Sequence, residues 1–306
     1  MFHDLRADLG SPDLPIVVGQ LGEFVQGSDV ETVRTALKTI PSELPRMGFA
    51  DSQGLAHKGD HLHFNVDAQR QMGERFAGAM LSLQSGGTPT LASSNEPKRT
   101  RIACVGDSIT AGVGAGNSSM AYPAQLGRML GREWEVGNFG NPGKSLLRKS
   151  DYPYAATANL QQALAFNPDV VVIQLGTNDT KVQNWKFRDD FVADYRALIA
   201  RFETLETKPR IYLCRPPYIS GPGSHGDTEE TLLEVLPMID AVGQETGLTV
   251  IDNHAVTKGR DELFPDHLHP NKEGAGLLAR NVYRAIVGKE FVGDVPPPPN
   301  EALKRP

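Results

Sequence analysis

From about residue 100 onward, short apolar runs alternate with amphipathic stretches in this 306-residue chain, and that alternation restricts the possible folds most. The runs are RIACV at 101–105, WEVGNF at 134–139, DVVVIQL at 169–175, RIYLC at 210–214 and LTVID at 248–252. A run such as VVVIQL, β-branched and without polar alternation, is typical of a strand covered on both faces. The stretches between the runs, such as 189–205, carry apolar residues at helical spacing. The order predicts a three-layer α/β/α domain around a parallel sheet of about five strands.

The first 82 residues repeat part of this plan in a shorter form. A strand-like run at 16–20, a helix at 30–37 and a weak strand at 47–50 precede the tetrapeptide DHLH and a helix at 67–81. The last third of the chain has the same order and contains the second copy of DHLH. The pattern therefore indicates a partial internal duplication.

Composition changes indicate the domain boundaries. We predict a truncated α/β segment at 1–82, a linker rich in Gly, Pro, Ser and Thr at 83–99, the main domain at 100–290 and a proline-rich tail at 291–306. We expect the tail to be solvated polyproline II or to lack fixed structure.

Charge and hydropathy exclude several classes of protein. The net charge of −6, without a basic stripe, gives no reason to expect a nucleic-acid partner. The sequence contains no run of about 18 apolar residues, so no membrane span is predicted. The N-terminus lacks the apolar core of a secretory leader, which indicates a cytoplasmic protein, or a secreted or periplasmic one if a leader was removed. Cys104 and Cys214 end apolar runs, and we expect buried reduced thiols there.

Four polar motifs follow predicted strands. They are GDSIT at 106–110, GNFGNPGKS at 137–145, GTND at 176–179 and DHLHP at 266–270. Each alone is compatible with a turn, and the serine of GDSIT alone is compatible with a helix N-cap. Because the carboxyl ends of parallel strands share one edge of a sheet, where ligands bind, the four together predict one site.

With these motifs the chain resembles the SGNH, or GDSL-type, hydrolase superfamily from about residue 101 to 287. The resemblance implies a flavodoxin-like arrangement of the sheet and a serine esterase. It implies Ser108 as nucleophile, His269 as general base and Asp266 as the residue that orients the imidazole. A serine hydroxyl needs such a base to become nucleophilic, and the resulting imidazolium needs a neighbouring carboxylate.

The resemblance also implies an oxyanion hole made of the Ser108 N–H, the Gly143 N–H and the Asn178 side chain. Motif alignment favours Gly143 over Gly140. Donors of this kind stabilise the negative charge that develops on the former carbonyl oxygen. We expect Asp107 and Asp179 to hold loop amides in place rather than to act in catalysis.

No metal or cofactor is predicted. His225 and His254 show no ligand spacing, and we expect surface or structural roles for both. Tyr122, Tyr154, Trp185 and Arg215 fall in loops at the catalytic edge. They are candidates for substrate contact, although such side chains also pack on neighbouring loops.

The order NFG, GTND, NW and CRPP is similar to that of SGNH carbohydrate esterases, which implies hydrolysis of acetyl esters of a sugar or polysaccharide. Two alternatives stay open: a lysophospholipase- or thioesterase-like hydrolase of longer acyl chains, and a catalytically dead carbohydrate-binding module.

The N-terminal segment resembles the closing portion of sialate O-acetylesterase-like carbohydrate esterases, over 4–24, 59–65 and 69–81. The resemblance matches Asp60 and His63 to catalytic residues of that family. No nucleophile motif precedes them here, so we predict a vestigial pair; completion by another chain and a contribution to the main cleft are the alternatives. Because two strands bury little core, we expect the segment to dock on the main domain or on a second protomer, forming a homo-oligomer.

Overall fold

The computed structural model of the protein describes residues 2–84, 99–221 and 226–298. They belong to two compact units, Met1–Glu96 and Pro97–Pro306. Most of the predicted linker, 83–99, lies outside the described residues, as does His225.

The N-terminal unit is a small α/β segment around two parallel strands. Its elements are α1 (Phe2–Asp8), β1 (Ile16–Gly19), α2 (Val30–Glu43), β2 (Met47–Ala50) and α3 (Val66–Gln84). The register of β1 and β2 runs from Ile16 beside Met47 to Gly19 beside Ala50. The helix predicted over 30–37 continues to Glu43 and contains Pro41 near its end, where the missing N–H removes one helical hydrogen bond.

The second unit contains the five-stranded sheet that the apolar runs predict. Its strands are β3 (Thr100–Gly106), β4 (Trp134–Gly140), β5 (Val170–Gln174), β6 (Arg210–Arg215) and β7 (Thr249–Asp252). All neighbours pair in parallel, in the order β4-β3-β5-β6-β7. The predicted fold class is therefore confirmed. This order also brings the ends of β3, β4 and β5 side by side.

Helices cover both faces of this sheet. They are α4 (Ser108–Ala111), α5 (Tyr122–Leu130), α6 (Ala158–Ala165), α7 (Val182–Trp185), α8 (Phe191–Glu203), α9 (Glu229–Thr246), α10 (Asn253–Thr257) and α11 (Lys272–Val287). Successive residues of one strand point to opposite faces: Val171 and Ile173 join one core, Val170 and Val172 the other. Burial on both faces explains why VVVIQL carries no polar alternation.

The described part of the proline-rich tail is not solvated throughout, which corrects our expectation. Arg280 donates to the carbonyls of Phe291 and Gly293, Arg128 donates to that of Pro296, and Pro298 is buried. These contacts attach the tail to α5 and α11. The expectation of free thiols is confirmed, since Cys104 and Cys214 are free and buried. Among the described residues, no helix has the length and hydropathy needed to cross a membrane.

Candidate active site

Ser108 lies at the turn from β3 into α4. The Asp107 side chain caps this short helix by accepting from the Ile109 N–H at 2.9 Å, and α4 ends at Gly112 with φ +96°. Gly106 is required before the turn, because a Cβ there would collide with the Thr110 hydroxyl and the Gln174 carbonyl. The tight turn presents the Ser108 hydroxyl at the carboxyl edge of the sheet.

His269 and Asp266 lie in the loop that leads into α11. Asp266 Oδ1 accepts from the backbone N–H groups of Leu268 at 3.1 Å and His269 at 2.7 Å, while Oδ2 lies 2.7 Å from His269 Nδ1. His269 Nε2 lies 2.9 Å from Ser108 Oγ. The structure therefore joins the three residues predicted for catalysis in one hydrogen-bonded chain, which can carry the hydroxyl proton to the imidazole.

The pKa of Asp266 is lower than its ordinary value. Partial burial raises it, but the hydrogen bonds from the His269 backbone and ring and from the Leu268 N–H outweigh that effect. The carboxylate is thus kept ionised beside the ring, where it can stabilise an imidazolium.

The two glycines considered for the oxyanion hole have different environments. Gly140 is the last residue of β4, and Gly143 lies in the loop that follows. Gly140 lies against α4, where a Cβ would collide with the Ala111 backbone, and its N–H already donates to Asn138 Oδ1 at 3.0 Å. Gly143 adopts φ +76°, and no acceptor for its N–H is found among the described residues. The geometry therefore favours Gly143 as a donor to a ligand.

Asn178 faces the same loop. Its Nδ2 donates to the Lys144 carbonyl at 3.2 Å, which fixes the amide while leaving its second N–H for a ligand. Asn178 is buried at the carboxyl end of β5. The structure thus brings the predicted amide donor next to the residue that follows Gly143.

Buried carboxyl groups hold these loops, as predicted for Asp107 and Asp179. The two oxygens of Asp179 accept from the Leu146 and Leu147 N–H groups at 2.9 and 2.8 Å. Burial raises the pKa of Asp179 to about 6, and the loop N–H groups oppose that rise. Burial also raises the pKa of Asp107 to about 7, helped by the nearby carboxyl of Asp179 and opposed by the Ile109 N–H.

Asn184 has a role that its sequence position did not reveal. Its fully buried Nδ2 group donates to the Asn178 carbonyl and to Asp151 Oδ1, both at 2.9 Å, and its Oδ1 accepts from the Asp151 N–H at 3.0 Å. One side chain therefore links the Asn178 turn to the loop after Gly143. The signals in the sequence were its short distance from GTND and its place in the NW pair of the esterase-like motif order, and neither indicated this linking role.

The two tyrosines predicted to contact substrate are structural. Tyr122, the first residue of α5, is 1% exposed and packs in the core, where burial raises the pKa of its hydroxyl. Tyr154 is equally buried and donates its hydroxyl hydrogen to the Phe139 carbonyl at 2.7 Å. Neither ring offers a face to a sugar, so the expectation is corrected for both.

Trp185 and Arg215 are also engaged inside the protein. The Trp185 ring is buried, and its Nε1–H donates to Glu234 Oε2 at 2.9 Å. The Arg215 guanidinium is paired with Asp240 from α9 and Asp252 from β7. Trp185 thus links α7 to α9, and Arg215 links β6 to α9 and β7. The structure does not support the predicted substrate contacts.

His254 has the structural role expected for it. Its Nε2 lies 2.7 Å from Glu229 Oε1, and Glu229 Oε2 accepts from the Ile219 N–H. Within the described ranges, no group of three or more His, Cys, Asp or Glu side chains is arranged to hold a metal ion.

The Asp60–His63 pair in the N-terminal unit repeats the geometry of the second copy. Asp60 Oδ1 accepts from the Leu62 and His63 N–H groups at 3.1 and 2.9 Å, and Oδ2 lies 2.7 Å from His63 Nδ1. These hydrogen bonds lower the pKa of Asp60, and the bond from the His63 backbone N–H has the largest effect. His61 and His267 both have positive φ, so the two DHLH turns share a backbone shape. Among the described residues, no hydroxyl contacts His63 Nε2.

Comparisons with known proteins agree with this division of the chain. Residues 104–277 match the model of the GDSL-like lipase/acylhydrolase family, and residues 1–82 match that of sialic acid-specific acetylesterase carbohydrate esterases. An acetylxylan esterase of Xylanibacter ruminicola is 35% identical over 205 residues, 61% of this chain and 43% of the relative. An acetylxylan esterase/glucomannan deacetylase of Cellvibrio japonicus is 28% identical over 223 residues, 60% of this chain and 58% of that protein. The chain thus spans about half the length of these relatives.

The fold has solved counterparts. A carbohydrate acetylesterase from Sinorhizobium meliloti superposes with a TM-score of 0.51 at 17% identity, over 62% of this chain and 99% of the other. That superposition concerns the fold, whereas the family match extends over more than half of the sequence and includes Ser108, Gly143, Asn178 and His269. The chain belongs to the GDSL-like lipase/acylhydrolase family.

Proposed function

We propose that this protein is a serine esterase that removes acetyl groups from carbohydrates, with acetylated xylan as the substrate class to test first. The observation that carries the proposal is the chain from Asp266 through His269 to Ser108, with contacts of 2.7 and 2.9 Å. The names of the relatives support acetyl groups and polysaccharide as the two halves of the substrate.

In the first half of the proposed reaction, Ser108 Oγ attacks the ester carbonyl while His269 Nε2 takes the hydroxyl proton. Asp266 keeps the remaining ring proton on Nδ1 and stabilises the imidazolium. The oxyanion receives hydrogen bonds from the Ser108 and Gly143 N–H groups and from Asn178 Nδ2. When the carbonyl re-forms, the sugar oxygen leaves with the proton from His269, and the acetyl group stays on Ser108.

In the second half, water replaces the sugar. His269 takes a proton from the water while the water oxygen attacks the acetyl carbon. The same three donors stabilise the second oxyanion. Collapse returns the proton to Ser108 Oγ and releases acetate. His269 gains one proton and returns it within each half of the reaction, so the proposed steps need no cofactor.

Ser108→Ala tests the proposed nucleophile. We expect the variant to lose measurable turnover of p-nitrophenyl acetate and labelling by a fluorophosphonate probe, because the acyl acceptor is absent. Ser119→Ala is the matched control, since its hydroxyl contacts only Asn117 among described side chains and lies outside the proposed site. Normal turnover or labelling in Ser108→Ala, with an unchanged circular dichroism spectrum, would exclude this nucleophile.

Two substrate series test the substrate class. Acetate release is compared across acetylated xylan, xyloglucan, pectin and sialic acid, and p-nitrophenyl esters are compared from acetyl to octanoyl. A deacetylase should lose activity steeply beyond about four acyl carbons, because each added methylene must be accommodated in a short acyl site. Rising kcat/KM toward octanoyl would instead support hydrolysis of longer acyl chains.

A further inference from the structure

The loop at 144–154, which follows Gly143, is a fixed element of the site. Ser145 donates its N–H to the Tyr152 carbonyl at 3.0 Å, and Tyr154 donates its N–H to the Ser145 carbonyl at 2.8 Å. The Asp179 carboxylate accepts from the Leu147 N–H, and the Asn184 side chain accepts from the Asp151 N–H. Tyr152 is therefore kept beside the residues that follow Gly143.

The two tyrosines of this loop have opposite environments. Tyr154 is buried at 1% exposure, whereas the Tyr152 side chain is exposed at 57%. Tyr154 contributes its ring to the core, whereas more than half of the Tyr152 surface is open to solvent. An exposed aromatic ring on a hydrogen-bonded loop that follows Gly143 is available for contact with a ligand at the proposed site.

Three of the exposed apolar side chains of the second unit belong to chain segments that contain proposed site residues. Among its described residues, the large exposed ones are Val113, Tyr152, Val182, Leu233 and Val292. Val113 donates its N–H to the Ser108 carbonyl at 2.9 Å, and Val182 begins the helix that follows the Asn178 turn. Val113 and Val182 thus follow Ser108 and Asn178 closely in the chain, and Tyr152 lies on the loop after Gly143. Only Tyr152 among the three is aromatic.

Lys144 orients that aromatic ring. Its Nζ lies 4.8 Å from the centroid of the Tyr152 ring, a cation–π distance, while its carbonyl accepts from Asn178 Nδ2. One residue therefore contacts both the amide proposed for the oxyanion hole and the exposed ring.

We propose that Tyr152, oriented by Lys144, is the platform on which the pyranose ring of the acetylated sugar stacks, and that it makes the enzyme selective for sugar acetates over alkyl acetates. The proposal rests on the proposed function. The C–H groups on one face of a pyranose carry small positive charges that match the negative face of an aromatic ring. Val113 and Val182 would line the rest of an apolar rim around the ester.

The test compares kcat/KM for acetylated xylo-oligosaccharides and for ethyl acetate, which has no ring. We expect Tyr152→Ala to reduce kcat/KM for the sugar about 10-fold more than for ethyl acetate, mainly through KM, as one lost aromatic contact implies. Tyr152→Phe should keep the wild-type ratio because the ring remains. Leu233→Ala, which removes an exposed apolar side chain of α9, is the matched control.

The outcomes separate the two proposals. An active wild type whose substrate ratio is unchanged by Tyr152→Ala, or equally reduced for both substrates, overturns the platform and leaves the esterase proposal standing. A wild type that releases no acetate from either substrate overturns the proposed function and the platform with it. A changed ratio in both Tyr152→Ala and Tyr152→Phe would assign the effect to the hydroxyl and overturn stacking.

Discussion

The two carboxylate oxygens of Asp266 have different partners. The Asp266→Asn variant should keep the role of one oxygen and remove that of the other. Oδ1 accepts the two backbone N–H groups that shape the loop, and Oδ2 accepts the His269 Nδ1–H at 2.7 Å. An amide oxygen can replace Oδ1. The amide NH₂ would then face Nδ1 and donate to it. The ring proton would therefore move to Nε2, which lies 2.9 Å from Ser108 Oγ. A ring protonated there cannot accept the serine proton.

The expected loss follows from that change of tautomer. In a serine protease the equivalent change lowers kcat about 10⁴-fold. The Asp266 side chain is 53% exposed, so water weakens the electrostatic part of the effect while the tautomer part remains. We therefore expect kcat for p-nitrophenyl acetate to fall about 10²- to 10⁴-fold at neutral pH. Because the loop N–H groups keep an acceptor, the melting temperature should shift by less than about 3 °C.

Asp60→Asn is the matched control for this prediction. It makes the same change in a turn with the same three contacts, in a unit whose described residues place no hydroxyl at His63 Nε2. We expect kcat to stay within about 2-fold of the wild type. The reasoning is refuted if Asp266→Asn keeps more than about a tenth of wild-type kcat, or if Asp60→Asn loses as much activity as Asp266→Asn.

Two further predictions concern the groups that hold the site. Asn184→Ala should lower the free energy of unfolding in urea by about 1–3 kcal/mol, because it leaves the buried Asn178 carbonyl without this donor; unchanged stability would show that the bond contributes nothing. Asp107→Asn tests a pH dependence. Burial raises the folded-state pKa of Asp107 from 3.8 to about 7, so its stabilising contribution is complete below pH 3.8 and is lost as the pH rises through about 7. Urea titrations from pH 4 to 8 should therefore show a flatter fall in stability for the variant, and equal slopes would contradict the raised pKa.

The sheet and much of the composition of the site follow from local sequence. Parallel strands covered on both faces need continuous apolar runs, and the carboxyl ends of those strands share one edge. A serine, an amide and a histidine that follow different strands therefore meet once the strand order is formed. Ser108, Asn178 and His269 could be named as candidates for this reason, together with the resemblance to a known family.

Loop side chains could not be assigned in the same way, because loops have no periodicity that distinguishes inside from outside. Tyr152 and Tyr154 are two positions apart, yet one is exposed and the other is buried against the Phe139 carbonyl. Asn184 becomes a connection between loops only because Asp151, 33 residues earlier, folds back onto it.

Sequence alone thus determined the layered α/β fold and the serine, histidine, aspartate and amide at one edge of its sheet, because those depend on local pattern and strand order. Only the tertiary structure decided that the N–H of Gly143, unlike that of Gly140, has no acceptor among the described residues, and that Tyr152 rather than Tyr154 is presented to solvent. Tyr154 is buried through its contact with Phe139, 15 residues earlier, and the Gly140 N–H is occupied through the local geometry that places Asn138 Oδ1 against it. Residue type alone determines neither contact, because each depends on how the loop backbone folds.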